Sequence, residues 1–251
     1  MKWKTHRMIA KVIGDEFNFP PKLVRVLSRG SIDPDIHPDY TYRVYGYRRT
    51  KIRKTAISHH NVSTSLIMKY IWKSRDAWLK GDMEDALFNL GRALHYVQDK
   101  CVSKGFLGLF HDKIEKNLSE ASLPKYSFSD IKKDAKSSPR FIKNVLNSLS
   151  PEKDAYKILE KAITTSILIT ASTLGSKEIP KELLEAYKNA KQKFTKRTKP
   201  ISIGVGLISS ILLFIYNPPL FPIGLLLGYV IYWSDRNYHN LKEEARWYGI
   251  Q

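Results

Sequence analysis

The chain has 251 residues, 42 Lys and Arg against 24 Asp and Glu, and a formal net charge of +18. A lone cysteine, Cys101, excludes a disulfide framework and a thiolate metal site, so any metal must take nitrogen and oxygen ligands, and no disulfide-linked partner is expected. The charge favours anionic partners (phospholipid headgroups, nucleic acid or other phosphate esters) without choosing among them. Residues 3–17 predict a helix with Met8, Ile9, Val12, Ile13 and Phe17 as its apolar positions; Pro20-Pro21 break it, and a short segment near 21–28 follows. The first eight residues contain no apolar run of signal-peptide length, which predicts a cytoplasmic face for the residues that follow. Residues 29–61 read as a long, poorly periodic connection carrying Asp33, Asp35, His37, His59 and His60, and connections this long in compact domains are often functional. Helices are expected at 61–80 and 82–103, split by Lys80-Gly81-Asp82. In the second, Leu87, Leu90, Leu94 and Val97 form the core stripe and His95 and Asp99 lie off its centre, where a cavity edge would be. Further helical stretches are expected at 110–121, 127–149, 152–173 and 180–196, the last opened by Pro180. No strand pattern emerges, and the soluble part reads as all-α.

Residues 201–233 differ in kind, with no charged residue over 33 positions and a break at Asn217-Pro218-Pro219. Each arm holds about 14–16 residues, short of the roughly 20 of a standard span. Lysines and arginines flank both ends (Lys188, Lys191, Lys193, Lys196, Arg197 and Lys199 before, Arg236 and Lys242 after), which suits a membrane-inserted hairpin, spanning or re-entrant, with both termini in the cytoplasm. The organisation expected is a metal-binding helical domain at 1–180, a basic linker helix at 181–200, the hydrophobic hairpin at 201–233 and a polar tail at 234–251.

Two pairs, His95/Asp99 and His111/Glu115, place an imidazole and a carboxylate at i and i+4, one above the other on a helix face. Six of the seven histidines fall in the first 111 residues. Imidazole and carboxylate are ordinary zinc ligands, and two such pairs, with His6, Asp35, His59 and His60 upstream, point to a metal site.

The residues that carry this pattern also carry a resemblance. Trp3-Lys4-Thr5-His6-Arg7-Met8-Ile9, Gly30-Ser31-Ile32-Asp33-Pro34-Asp35, Ser58-His59, Leu94-His95-Tyr96-Val97-Gln98-Asp99 and Phe110-His111-Asp112-Lys113-Ile114-Glu115 follow one another in order. Over roughly residues 3–120 the chain resembles the zinc-dependent phospholipases C and the related single-strand nucleases. The resemblance implies a multi-helix bundle and up to three neighbouring zinc ions, or another divalent metal. Asp35, His59, His95 and Asp99 would complete one site, with Asp99 bridging to a second that includes His6; His111 and Glu115 would belong to a third. Two departures stand out. Gly105 occupies a position where the family has a further histidine, and Trp3 follows Met1 and Lys2 where the family's first residue, a Trp, ligates metal through its amine. His60 and His37 are alternatives for the ligands so lost, and Asp33 is the closest rival of Asp35.

The activity this implies is phosphodiester hydrolysis of phospholipid headgroups at an anionic membrane, with metal-activated water as nucleophile and Asp35 positioning or deprotonating it. The loop cations Arg48, Arg49, Lys51, Arg53 and Lys54 would hold the site against the bilayer. A nuclease is a second reading, since Tyr40, Tyr42, Tyr45 and Tyr47 are interleaved with arginines and could stack bases. A third is a non-catalytic membrane protein that retains a depleted metal scaffold, as Gly105 suggests.

Overall fold

The computed structural model describes residues 1–45, 51–57, 62–103, 118 and 129–250. It is mostly helical and divides into two compact units, Met1–Gly175 and Ser176–Gln251.

The first unit contains α1 (Trp3–Glu16), α2 (Pro21–Gly30), the single turn α3 (Asp33–Ile36), strands β1 (Tyr40–Tyr45) and β2 (Lys51–Ala56), then α4 (Thr64–Lys80), α5 (Met83–Lys100), α6 (Ser129–Asp134), α7 (Pro139–Ser148) and α8 (Ala155–Thr173). The pair α4–α5 is an antiparallel hairpin whose ends are written in its sequence. The Ser63 hydroxyl accepts from Leu66 N–H at the start of α4, Gly81 takes the left-handed conformation (φ +84°) that ends it, and the Asp82 carboxylate caps α5 through Asp85 N–H. Leu87, Leu90, Leu94 and Val97 are buried as the stripe predicts, together with Ile9 and Ile13 of α1, Leu27 of α2, Ile67 and Ile71 of α4, and Ile163 and Ile167 of α8. At about 1.5–3 kcal/mol for each fully buried side chain, this contact set dominates the folding energy of the unit. His95 and Asp99 are buried too, not at an open cavity edge, because α5 is covered on nearly every side.

In the first unit the backbones of α2 and α5 approach closely. A Cβ on Gly91 would sit 2.5 Å from Leu27 O and 2.7 Å from Ser31 N; one on Gly30 would sit 2.3 Å from Phe88 O. Only paired glycines allow this contact, and it is what brings the Ser31 carbonyl over α5. Gly91→Ala is therefore expected to overpack the contact and cost about 1–3 kcal/mol, seen as a lowered Tm.

Two elements differ from the sequence reading. The connection 29–61 is not irregular throughout: β1 and β2 pair antiparallel, with Tyr40 opposite Ala56, Tyr42 opposite Lys54 and Tyr45 opposite Lys51. Interleaved Arg and Lys hid the two-residue period of its Tyr, Thr, Val and Ile residues. The stretch 127–149 is two helices. Ser138 precedes Pro139, adopts extended backbone (φ −154°, ψ 130°) and caps α7 through Phe141 N–H, so helix cannot run through it. Of the helix expected at 110–121, only Leu118 is among the described residues.

In the second unit, α9 (Lys181–Lys193), a π-helical turn (Phe194–Thr198) and α10 (Lys199–Tyr216) form one continuous run of 36 residues. A tight turn at Pro218–Leu220 leads to α11 (Phe221–Ser234), and Asp235 caps α12 (Arg236–Trp247). The basic linker and the polar tail thus form a helix pair. Phe194 stacks on Tyr238 at 4.0 Å between ring centroids, and Tyr187, Ala190 and Ala245 complete their core. The run Lys181–Tyr216 is long and apolar enough to cross a membrane, which the arm length counted from sequence alone did not suggest.

The pair α10–α11 is built inside out. Its interface consists of Ser202, Gly206 and Ser210 against Gly224 and Gly228, while Leu207, Ile208, Ile211, Leu212, Ile215, Leu226 and Val230 point outward. Small residues four apart let the backbones touch: a Cβ on Gly228 would lie 2.8 Å from Gly206 Cα.

Candidate metal centre

His6 projects from the first turns of α1, His95 and Asp99 from the last turns of α5, and the three meet in the interior of the first unit. Their ligand atoms all lie within 4.8 Å of one another and all three side chains are buried. The group therefore has the donors and the spacing to hold a metal ion. The imidazoles stack at 4.4 Å between centroids. His6 Nε2 lies 3.4 Å from Asp99 Oδ1, and His95 Nε2 lies 3.4 Å from Asp99 Oδ2. Ligands about 2.0–2.1 Å from a tetrahedral zinc ion stand about 3.3 Å apart, so these separations fit.

The second nitrogen of each ring fixes what the first can do. His95 Nδ1 is 2.9 Å from the carbonyl of Ser31, an acceptor only, so that nitrogen donates. His6 Nδ1 donates to Gln98 Oε1 at 2.6 Å, and the Gln98 amide in turn donates to Ser166 Oγ at 3.2 Å. In neutral rings both Nε2 atoms then present lone pairs towards the Asp99 carboxylate, and His6 Nε2 has no hydrogen-bond partner among the described residues. Acceptors facing acceptors in a dry interior repel unless a proton or a cation lies between them, and the Met1 α-ammonium at Asp99 Oδ1 already supplies one positive charge. Second-layer donors of this kind orient metal-binding histidines generally.

Two features stand at the edge of the cluster. The α-ammonium of Met1 is 2.5 Å from Asp99 Oδ1. Trp3 donates its indole N–H to Asp35 Oδ2 at 2.8 Å. The other oxygen of Asp35, Oδ1, is 3.7 Å from His95 Nε2, and the Asp35 side chain is partly open to solvent. An acid beside the ligands, anchored through one oxygen and open to water, is placed to handle a proton there.

Of the residues expected from sequence, the structure brings together His6, His95 and Asp99, with Asp35 alongside. His59, His111 and Glu115, as well as His60 and Gly105, lie outside the described residues. The alternatives within reach turn elsewhere. Asp33 receives Arg92 at 3.2 Å and His37 Nδ1 at 2.9 Å, so both Asp33 and His37 belong to a different network.

Sequence reasoning missed that network. Asp39, just before β1, accepts the Tyr70 hydroxyl at 2.6 Å and the Tyr96 hydroxyl at 2.7 Å, and lies 3.4 Å from Arg92. Burial first, and the Asp39 carboxylate second, push both phenols well above their ordinary range, so they remain donors. Tyr96 also packs edge-on against the His95 ring, at 5.3 Å. Asp33 and Asp39 thus clamp the segment that bears Asp35 onto α5. Three acids in seven residues opposite an arginine on α5 were the available signal, whereas the Ser31 carbonyl, a backbone group, left none. Comparison of the chain with protein-family models, with curated proteins and with solved structures returns no match.

Proposed function

We propose that this protein is a metal-dependent phosphodiester hydrolase, resembling a zinc-dependent phospholipase C, that acts on phospholipid headgroups at an anionic membrane. The observation that carries the reading is the buried convergence of His6 and His95, each with Nδ1 committed as donor, on the carboxylate of Asp99. His6, His95 and Asp99 would hold the ion. Zinc or a similar divalent ion would supply Lewis acidity there, making water more acidic and offsetting charge on a phosphoryl group. Asp35, held by the Trp3 indole, accepts the proton of the attacking water and keeps it oriented towards phosphorus. Ser31 and Gln98 keep both imidazoles in the tautomer the ion requires.

The membrane part of the reading rests on the second unit. A helix pair with small residues inside and large apolar ones outside is stable where its surroundings are themselves apolar. Basic residues flank both ends of the pair, so both its ends stay on the cytoplasmic side, with the first unit and the tail.

The test is metal analysis of the purified full-length chain, combined with hydrolysis of anionic vesicles, neutral vesicles and single-stranded DNA at equal metal. Bound divalent metal and release of phosphorylated headgroups support the proposal. Metal without turnover on any substrate would leave a structural scaffold, and cleavage of DNA alone would make it a nuclease; either overturns it. Asp35→Asn is expected to lower kcat about 10²–10⁴-fold while metal content stays at the parental level.

A further inference from the structure

Strands β1 and β2 carry large apolar side chains on the outside of the molecule. Tyr40 is 49 % exposed, Tyr42 71 % and Ile52 69 %. The register sets Tyr40 opposite Ala56, Tyr42 opposite Lys54 and Val44 opposite Ile52. Opposed residues, and residues two apart along a strand, lie on one face of the ribbon. Tyr40, Tyr42, Ile52 and Lys54 therefore share a face, and Lys54 Nζ stands 4.1 Å from the centroid of the Tyr40 ring. Residues 40–56 hold six Lys and Arg and no Asp or Glu.

A two-stranded ribbon is barely stable in water by itself, and an exposed apolar face rimmed by charge marks a place of contact. The root of this ribbon is firm. Ile57 N–H donates to Asp39 O at 2.8 Å across its base, and Asp39 is gripped by Tyr70, Tyr96 and Arg92. Whatever the ribbon rests on is thereby coupled to Asp35, four residues before Asp39, and to His95, which touches Tyr96.

We infer that the Tyr40–Tyr42–Ile52–Lys54 face of β1–β2 is the surface by which the metal-bearing unit lies on an anionic bilayer. Tyr42 and Ile52 enter the boundary between headgroups and acyl chains, and Lys54 pairs with lipid phosphate. Tyrosine favours that boundary, and cations near an anionic leaflet add an attraction that salt screens. A nucleic acid also suits tyrosine and lysine, but Ile52 offers it no stacking surface, and the same chain carries the outward-facing apolar helices α10 and α11. The inference rests on the membrane reading above and extends it to a second, separate point of contact.

The test uses the full-length chain with Tyr42→Cys, or Ile52→Cys, carrying an environment-sensitive fluorophore. Burial pushes the Cys101 thiol up to about 12, so the native cysteine stays unlabelled. With phosphatidylcholine vesicles containing phosphatidylglycerol, both probes shift to the blue and are quenched by spin-labelled lipid. The shift disappears in phosphatidylcholine alone, in high salt and in Lys54→Glu. Water-like emission on anionic vesicles, or a shift with single-stranded oligonucleotide and none with vesicles, overturns the inference. Failure of the unlabelled chain to float with neutral vesicles overturns the membrane reading, and this inference with it.

Discussion

His95→Ala and Asp99→Ala are each expected to empty the metal centre and abolish hydrolysis. Loss of a residue that merely orients a ligand costs about 10–100-fold in metal affinity, and loss of a ligand costs more. A graded series follows from the geometry. Gln98→Met removes the acceptor that holds His6 Nδ1 while preserving volume, and is expected to weaken binding about 10–100-fold. His95→Ala should leave no measurable binding, since it removes a donor atom that lies 3.4 Å from Asp99 Oδ2. Titration calorimetry with zinc reads the affinity, and circular dichroism shows whether the helices survive. Full activity in both alanine variants would refute the assignment. Unequal losses, with Gln98→Met milder than either, are the signature of a ligand and its support.

Gly228→Val is expected to force α10 and α11 apart. Any Cβ at 228 would lie 2.6 Å from Ser202 O and 2.8 Å from Gly206 Cα, both backbone atoms that cannot turn aside. Overpacking of this kind costs about 1–3 kcal/mol, which lowers amide protection roughly ten- to hundredfold where exchange follows the opening of the pair. Hydrogen exchange of the full chain in detergent micelles measures it. Leu212→Val, on the outward face, should change little, because that side chain is 62 % exposed. If the pair were instead a core hairpin of a water-soluble protein, the outward change would be the costly one. The two variants therefore separate the alternatives by sign.

Much of the fold could be read directly from residues. The core stripe of α5, the Gly81-Asp82 turn and the charge-free hairpin each follow a local rule, and the helices they predict are present to within a few residues. The α6–α7 break was also written locally, in Ser138-Pro139, but a long amphipathic pattern overrode it. The β1–β2 pair stayed hidden because Arg and Lys interrupt the two-residue period of its Tyr, Thr, Val and Ile residues. At the centre, helical spacing made His95 and Asp99 legible as a pair, the histidine clustering drew in His6 and Asp35, and the resemblance assigned them to particular sites. What spacing cannot supply is the direction of a hydrogen bond from a distant backbone. The Ser31 carbonyl reaches His95 only because two glycines, Gly30 and Gly91, let α2 lie on α5. Two contacts near the N-terminus were equally unreadable: the Met1 amine on Asp99 and the Trp3 indole on Asp35.

The π-helical turn at Phe194–Thr198 has its own consequence for the second unit. Such a turn takes in one residue more than an α-turn, and each α-helical residue winds the chain by about 100°. The aromatic edge of α9 that meets α12 and the small-residue seam of α10 are therefore phased separately, as by a spacer ring on a shaft. Were the same residues to wind as ordinary helix with none removed, Ser202, Gly206 and Ser210 would swing off the axis on which α11 seats, whereas deleting Thr195 would let the turn relax with that phase nearly kept. The joint between the water-facing helices and the apolar ones is thus set by one extra residue of winding, which makes the winding of this segment as consequential as its composition.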